Sequence, residues 1–426
     1  MGMKVLVIGS GAREDALSWR LAASPSCEAV FAAPGNAGTA SRGVNWEVAP
    51  TNGKALGARC KAEGIDLAVI GPETAIASGV GDRLREAGIA TFGPGRSGGR
   101  LESSKIFAKK FMERHNIPTA RAVVVHSLGA AQKVLDEWNG ACVIKADGLA
   151  SGKGVVVTAD AVEARSVLEE WYGGNRVPGG GADVLLEEKL EGREVSVFAI
   201  GDGRALFPFA SACDYKRAGD GDTGPNTGGM GAYSPPHGFP SDLDAQVQER
   251  IIGPALRGLQ ADGEHYIGVL YCGLMWTQNG PYVIEFNARF GDPETQVLMP
   301  RIDGDFALLL KSAADGTLDT GVASLGERAC VGIVLASADY PRSSTPLADL
   351  PRDMALPEDV HAFWGTSTPQ NGSVKSAGGR VLTVSALGDD LPAARAHAYD
   401  AVRDLTQRFG SATGLTFRRD IALVTR

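Results

Sequence analysis

No two of the six cysteines form a C-x-x-C pair: Cys27, Cys60, Cys142, Cys213, Cys272 and Cys330 are scattered, with no histidine cluster beside them. That spacing excludes the usual zinc sites. Five read as buried small hydrophobes, and Cys213 stands apart because it opens an unusual loop. Basic charge is also short, with 42 Lys and Arg against 50 Asp and Glu, a net −8, and no Lys/Arg run. A nucleic-acid partner held by counterion release is therefore not expected. Neither a charged-then-apolar leader nor an apolar stretch of spanning length is present, so no membrane partner is expected and a cytoplasmic protein is the default.

What remains is the balance of a soluble globular chain: 426 residues, 44% hydrophobic and 22% charged, long enough for two to four domains. The opening "MKVLVIG" is a short apolar run, "SGARE" turns the chain, and Asp15 to Ala23 has helical spacing. Strands at Ala29 to Ala33, Leu67 to Ile70 and Ala90 to Phe92 alternate with helices, which predicts a doubly wound parallel sheet over 1–101. "FGPGRSGGR" stops any element, and Ser103 or Ser104 can cap a helix running to Asn116.

From Ala122 the spacing predicts strand, helix, strand, glycine loop, strand, helix and strand, a compact unit over about 120–190. A long helix is expected around Leu243 to Gly263, strands at Gly268 to Trp276 and Tyr282 to Asn287, and a helix from Phe306 to Ala314. A last block, 326–426, carries the strands "ACVGIVLAS" and "GRVLTVSAL" and a helix from Leu391 to Arg408. Between these units lies "CDYKRAGDGDTGPNTGGMGAYSP", Cys213 to Pro235, whose glycines break both helix and strand periodicity.

Three stretches carry candidate chemistry. "GSGARE" lies where a dinucleotide fingerprint would, but Glu14 occupies the third glycine position and would repel a pyrophosphate. The readings left are an anion cradle at a helix N-terminus with Arg13 as partner, or a tight turn without a ligand. "KADGLASGKGVVV", Lys145 to Val157, lacks the spacing and following helix of a Walker loop, so it reads as a hairpin lid. Lys145 ends an apolar strand and needs an anion there, which makes it a phosphate contact, while Lys153 on the lid is either a second one or a solvated lysine. In "YVIEFNARFGDPETQ", strand alternation puts Glu285 and Asn287 on one face, suiting magnesium that bridges nucleotide phosphates. The alternative is a strand with a polar outer face. Arg289, Asp292 and Glu294 follow at once, a charge density that points to a bound zwitterion or phosphate.

In this order and spacing, "APGNAGTA", "GPE", "KADGLASGKGV", "GDGDTGPNTGGMGAYSP" and "EFNARFGDPETQ" resemble the phosphoribosylamine–glycine ligases, the glycinamide ribonucleotide synthetases of purine biosynthesis, over essentially the whole chain. The resemblance implies an α/β ATP-grasp fold: an N-terminal pre-ATP-grasp domain (1–101), an ATP-grasp domain (102–325) with the lid, and a small C-terminal α/β domain (326–426). It implies ATP between Lys105, Lys145, Gly152, Lys153, the adenine contacts Glu187 and Leu190, and the ribose contact Glu194. Glu285 and Asn287 become ligands of Mg2+ or Mn2+, and Arg289, Lys145 and Asp214 the catalytic set. Substrate contacts fall on Gly11, Arg13, Glu14, Asn36, Gly38, Thr39, Pro72, Glu73, Asp214, Lys216, Asn226, Arg289, Gly291 and Asp292. The implied reaction joins glycine to 5-phosphoribosylamine through glycyl phosphate, releasing ADP and phosphate, in a monomer or homodimer.

Two departures from the family pattern fall at positions expected to face substrates. Asp15 replaces a histidine after the first strand, and Cys213 and Tyr215 stand where Q-D-H-K-R is usual. An intact ATP and metal set with altered substrate motifs gives an alternative: a paralogue coupling another amino acid or another amine. A nucleotide-binding protein without catalysis is the remaining alternative, and it predicts damage at Glu285, Asn287 or Lys145 that the sequence does not have.

Overall fold

The structure is a computed structural model, and it describes residues 2–138, 141–149, 154–158, 160–174, 177–178, 183–347, 349–410 and 414–423. The chain opens with a five-stranded parallel sheet in the order Val44–Asn45, Cys27–Pro34, Met3–Gly9, Leu67–Ile70, Thr91–Phe92. Its central strands are nearly all apolar, and all four residues of Leu67–Ile70 are buried, as a parallel sheet covered on both faces requires. Strand order reverses between Met3–Gly9 and Leu67–Ile70, so the turns Gly9 to Gly11 and Gly71 to Glu73 open into one crevice at the carboxyl ends of those strands. The first helix, Ala12–Ala22, starts three residues before the expected Asp15.

Ser104 caps the helix Lys105–Arg114, its hydroxyl accepting the Phe107 N–H at 3.1 Å. The lid is a four-stranded antiparallel sheet, Ala122–Val125, Val184–Glu188, Cys142–Ala146, Val155–Val157, under the helices Leu128–Trp138 and Ala161–Gly173. It has its own apolar cluster, in which Leu135, Ile144, Leu168 and Leu186 are fully buried or nearly so.

Most of the remaining chain is organised by one eight-stranded antiparallel sheet: Gly280–Asn287, Ile267–Thr277, Arg193–Asp202, Leu206–Asp214, Gly231–Ser234, Ala329–Ala336, Arg380–Gly388, Val360–Trp364. It runs without a break across the expected boundary at 325/326, because Gly231–Ser234 pairs with Ala329–Ala336. The expected long helix is a continuous helical run from Leu243 to Ala261 with a wider π turn at Gln248–Ile252.

The segment Cys213 to Pro235 contradicts the expectation that it holds no strands. Cys213 and Asp214 end the strand Leu206–Asp214 and pair with Tyr233 and Ala232, while Arg217–Gly219 and Thr223–Asn226 form a small hairpin. Gly221, with φ +65°, sits between the two hairpin strands, and Gly224, with φ +78°, lies within the second, so these short strands escape a periodicity search.

Candidate functional site

A cavity of about 1260 Å³ opens where the N-terminal crevice, the lid and the large sheet meet. Of the residues expected at the site, Gly11, Arg13, Glu14, Pro72, Glu73, Lys105, Lys145, Glu187, Leu190, Glu194, Asp214, Lys216, Asn226, Glu285, Asn287, Arg289 and Asp292 line it. Asn36, Gly38, Thr39 and Gly291 are not among the lining residues, and Gly152 and Lys153 lie outside the described residues.

The central feature is Glu285, on the strand Gly280–Asn287. Burial alone would raise its pKa, but Lys216, Lys145, Lys105 and Arg289 hold the carboxyl below its ordinary value. Four cations from four chain segments thus act on this carboxylate, and three of them are paired elsewhere as well: Lys145 with Glu187, Lys216 with Glu194 and Arg289 with Glu102. Asn287 follows on the same face, its Oδ1 accepting from Arg289 Nη2 at 3.3 Å. Asp214 behaves oppositely: burial pushes its carboxyl up to about 7, with Lys216 opposing and Glu294, Glu194 and Glu285 adding to the rise.

Lys145 was expected to meet a phosphate, and the chain supplies a carboxylate as well. Its Nζ lies 2.7 Å from Glu187 Oε2 and donates to the Ile284 carbonyl at 2.8 Å. The other Glu187 oxygen is 2.9 Å from Lys109 Nζ, which also donates to Thr119 Oγ1 and the Ala120 carbonyl. The Glu187 side chain therefore points into a buried Lys109–Glu187–Lys145 network, and the neighbouring Glu188, Lys189 and Leu190 complete the cavity wall. Lys105 donates to the Gly148 carbonyl at 2.8 Å, which ties the main helix to the lid.

At the N-terminal end, Glu14 does not project toward a ligand. Its oxygens accept from Gly11 N and Arg13 Nε, both at 2.6 Å. A Cβ at Gly9 would sit 2.6 Å from Glu14 Cδ and one at Gly71 2.1 Å from its Oε1, so two glycines make room for this carboxylate. The repulsion expected of Glu14 is thereby neutralised inside the fold. Arg289 lies at the other wall, 3.0 Å from Glu102 Oε1 and 3.6 Å from Glu73 Oε2. Burial would lower its pKa, but Glu102 and Glu73 raise it overall. Its buried Nε has no hydrogen-bond partner. Gly291 serves Glu294, whose Oε2 would be 2.5 Å from a Cβ there, while Glu294 Oε1 accepts from Tyr271 and Ser196.

Asp15 was expected to face the substrates, and the structure corrects this. It is fully buried, its carboxylate accepts Arg42 Nε at 2.9 Å and the Trp364 N–H at 2.8 Å, and it is not among the lining residues. Gly38 is the glycine that lets it approach, since a Cβ would meet Asp15 Oδ2 at 1.8 Å. Asn36 donates to the Gly11 and Trp364 carbonyls, and Thr39 donates to Asn45, so this group joins the N-terminal sheet to the far strand Val360–Trp364. Cys213 and Tyr215, the other departures, do line the cavity, with Cys213 only 7% exposed. Burial pushes its thiol up to about 12.

Sequence reasoning missed Glu102, Arg380 and Tyr340, all of which line the cavity. Arg380 donates to the Asp292 carboxylate and the Gly228 carbonyl, and Tyr340 accepts the Gly228 N–H. Arg380 begins an apolar strand. The reasoning that singled out Lys145, a charge beside an apolar run, would have found it.

Family models match the chain in order: the phosphoribosylglycinamide synthetase N domain over 3–102, its ATP-grasp (A) domain over 103–295 and its C domain over 330–424. A Phenylobacterium zucineum protein described as phosphoribosylamine–glycine ligase is 45% identical, over 94% of this chain and 95% of that one. One from Neisseria meningitidis serogroup B, of the same description, is 42% identical over 99% of each. The crystal structure of a Thermotoga maritima phosphoribosylamine–glycine ligase superposes with a TM-score of 0.85 at 33% identity, over 98% of this chain and 100% of that one.

Proposed function

From the premise that the chain belongs to the phosphoribosylglycinamide synthetase family, we propose which residues carry its reaction. The protein is an ATP-dependent ligase of purine biosynthesis that joins glycine to 5-phosphoribosylamine. The observation that carries the site assignment is the convergence of Lys105, Lys145, Lys216 and Arg289 on Glu285 inside a cavity walled by all three regions.

Those cations suit the phosphates of ATP, which would lie between the lid and the large sheet with the base against Leu190. Glu285 and Asn287 would hold a magnesium or manganese ion there. The residues fit the ion: a carboxylate and an amide oxygen on one strand line the cavity, and water and phosphate oxygens would take the ion's other positions. When bound, the ion would neutralise charge on the phosphates.

The glycine carboxylate attacks the γ-phosphorus of ATP; a C–O–P linkage forms, the Pβ–O–Pγ bridge breaks and ADP leaves. The amine of phosphoribosylamine then attacks the acyl carbon, a C–N bond forms, and the C–O bond to phosphate breaks. Arg289 binds the developing anion, and Lys145 steadies the transferred phosphoryl group. Asp214, with its carboxyl near neutrality, takes the proton that the amine sheds. Gly11, Arg13, Pro72 and Glu73 line the crevice for phosphoribosylamine, and Asn36, Gly38 and Thr39 support that crevice from behind.

We divide the work as 1–101 for the amine substrate, 102–325 for ATP and glycine, and 326–426 for closing the wall through Arg380 and Tyr340. No helix among the described residues is long and apolar enough to cross a membrane, and a cytoplasmic setting is the one we propose. A monomer or a homodimer is the assembly we propose. The test is ADP release with ATP, magnesium and freshly generated phosphoribosylamine across a panel of amino acids. Turnover confined to glycine is expected; turnover with another amino acid and none with glycine would overturn the assignment. Asp15 no longer favours a second substrate pair, because it lies away from the cavity.

A further inference from the structure

Arg418 is not among the lining residues, yet it is one of the largest side chains with almost no exposure, 1%. A buried guanidinium is costly unless its N–H groups find acceptors. Nε and Nη2 donate to the two Asp420 oxygens at 2.8 and 2.6 Å, and Nη1 donates to the Arg217 carbonyl at 3.1 Å and to Asp222 Oδ1 at 2.7 Å. The guanidinium also lies 4.7 Å over the ring of Tyr215.

The segment around it is gripped from both sides. The helix Leu391–Phe409 holds it from behind: Arg395 donates to the Arg419 and Ile421 carbonyls, and the Tyr399 hydroxyl donates to the Arg418 carbonyl. In front, Gly221 N donates to Asp420, Arg419 N to Asp220, and Ala422 N to the Tyr215 hydroxyl. Tyr215, Arg217 and Asp222, all gripped this way, line the cavity and flank Lys216, whose ammonium pairs with Glu194. A loop rich in glycine has many conformations to lose, so a contact that selects one acts on everything the loop carries.

We propose that Arg418 is a positioning residue for the ligase reaction: through the Arg217 carbonyl, Asp222 and the Tyr215 ring it fixes the loop that holds Lys216 in the cavity. Tyr215, a departure from the family's histidine, is accounted for by the same device, since its hydroxyl docks on Ala422. The inference rests on the ligase reading above.

The test is steady-state ADP release by wild type, Arg418→Lys and Tyr215→Phe, with thermal melting of each. Lysine keeps the charge and cannot reproduce the fork. Arg418→Lys is expected to lower kcat about tenfold or more, with KM for ATP within about twofold. Tyr215→Phe removes only the docking hydroxyl; it is expected to lower kcat about threefold with an unchanged melting temperature. If Arg418→Lys fails to fold, Tyr215→Phe decides alone. Wild-type kcat in the folded variants, or a loss matching only the unfolded fraction, would overturn the positioning role. A wild-type protein releasing no ADP would overturn the ligase reading and this inference with it.

Discussion

Asp15 is fully buried while Glu285 is half-buried at the cavity wall, and their surroundings sort the two carboxylates into different work. Around Asp15 the charges balance: one guanidinium and one backbone N–H meet one carboxylate, and the Asn36 and Thr39 side chains find partners within the same junction. Around Glu285 four cations face a single carboxylate beside an open cavity. A buried group satisfied by the chain needs no ligand and serves to place its neighbours; charged groups gathered at the wall of an open cavity are placed to meet one. Both lie in or beside motifs shared with the family. Motif membership alone therefore cannot say which residue touches a substrate, whereas the partners of each buried charge can.

This comparison can be broken first at the Lys109–Glu187–Lys145 network, where two lysines share one buried carboxylate. Glu187→Gln would leave two buried lysines facing a neutral amide, and breaking such a pair costs about 3–5 kcal/mol. Urea unfolding should record a loss of that size, and an unchanged midpoint would mean that the lysines are satisfied elsewhere.

The second prediction concerns pH. Because Asp214 is raised to about 7 in the folded protein, its stabilising contribution is complete below its unfolded value near 3.8 and is lost as pH rises through about 7. Glu285 has the opposite sign: its folded value is lowered, so its contribution is present above its unfolded value and is lost as pH falls through the folded one. In ligand-free protein, Asp214→Asn should raise the melting temperature at pH 8 by about 2–4 °C, a gain that fades as pH falls toward 4. A gain that persists at low pH would contradict the shift.

The smallest effect is expected at Cys213. Its thiol is buried and pushed up to about 12, so it is not a nucleophile near neutrality. Cys213→Ala should change kcat by less than about twofold and cost about 1 kcal/mol, and the native thiol should resist alkylation at pH 8. Rapid labelling with loss of activity would make Cys213 a reactive group of the cavity it lines.

Much of the fold was legible in the sequence because its signals are local. Runs such as Leu67–Ile70 and the apolar spacing of Phe306–Ala314 are written in consecutive residues, and both elements occur as read. What stayed hidden depends on distant pairing. Nothing near Asp15 announces that Trp364, 349 residues away, will donate to it. Nothing in "GAYS" announces a partner strand at Ala329–Ala336 that fuses the last block to the large sheet. The cavity's charged residues were largely legible because Lys145, Glu285 and Arg289 end or follow apolar strands, where an ionised group requires a reason. Glu102 was not, since one carboxylate on a short helix resembles any solvated one until Arg289 and the Ala288 N–H are brought against it.

The most direct measurement sets the two carboxylates side by side: kcat for ADP release by Glu285→Ala and Asp15→Ala, corrected for folded fraction. The account predicts that Glu285→Ala loses about a thousandfold while Asp15→Ala, though less stable, stays within about threefold of wild type. Turnover near the wild-type rate in Glu285→Ala, or a thousandfold loss in folded Asp15→Ala, would contradict it.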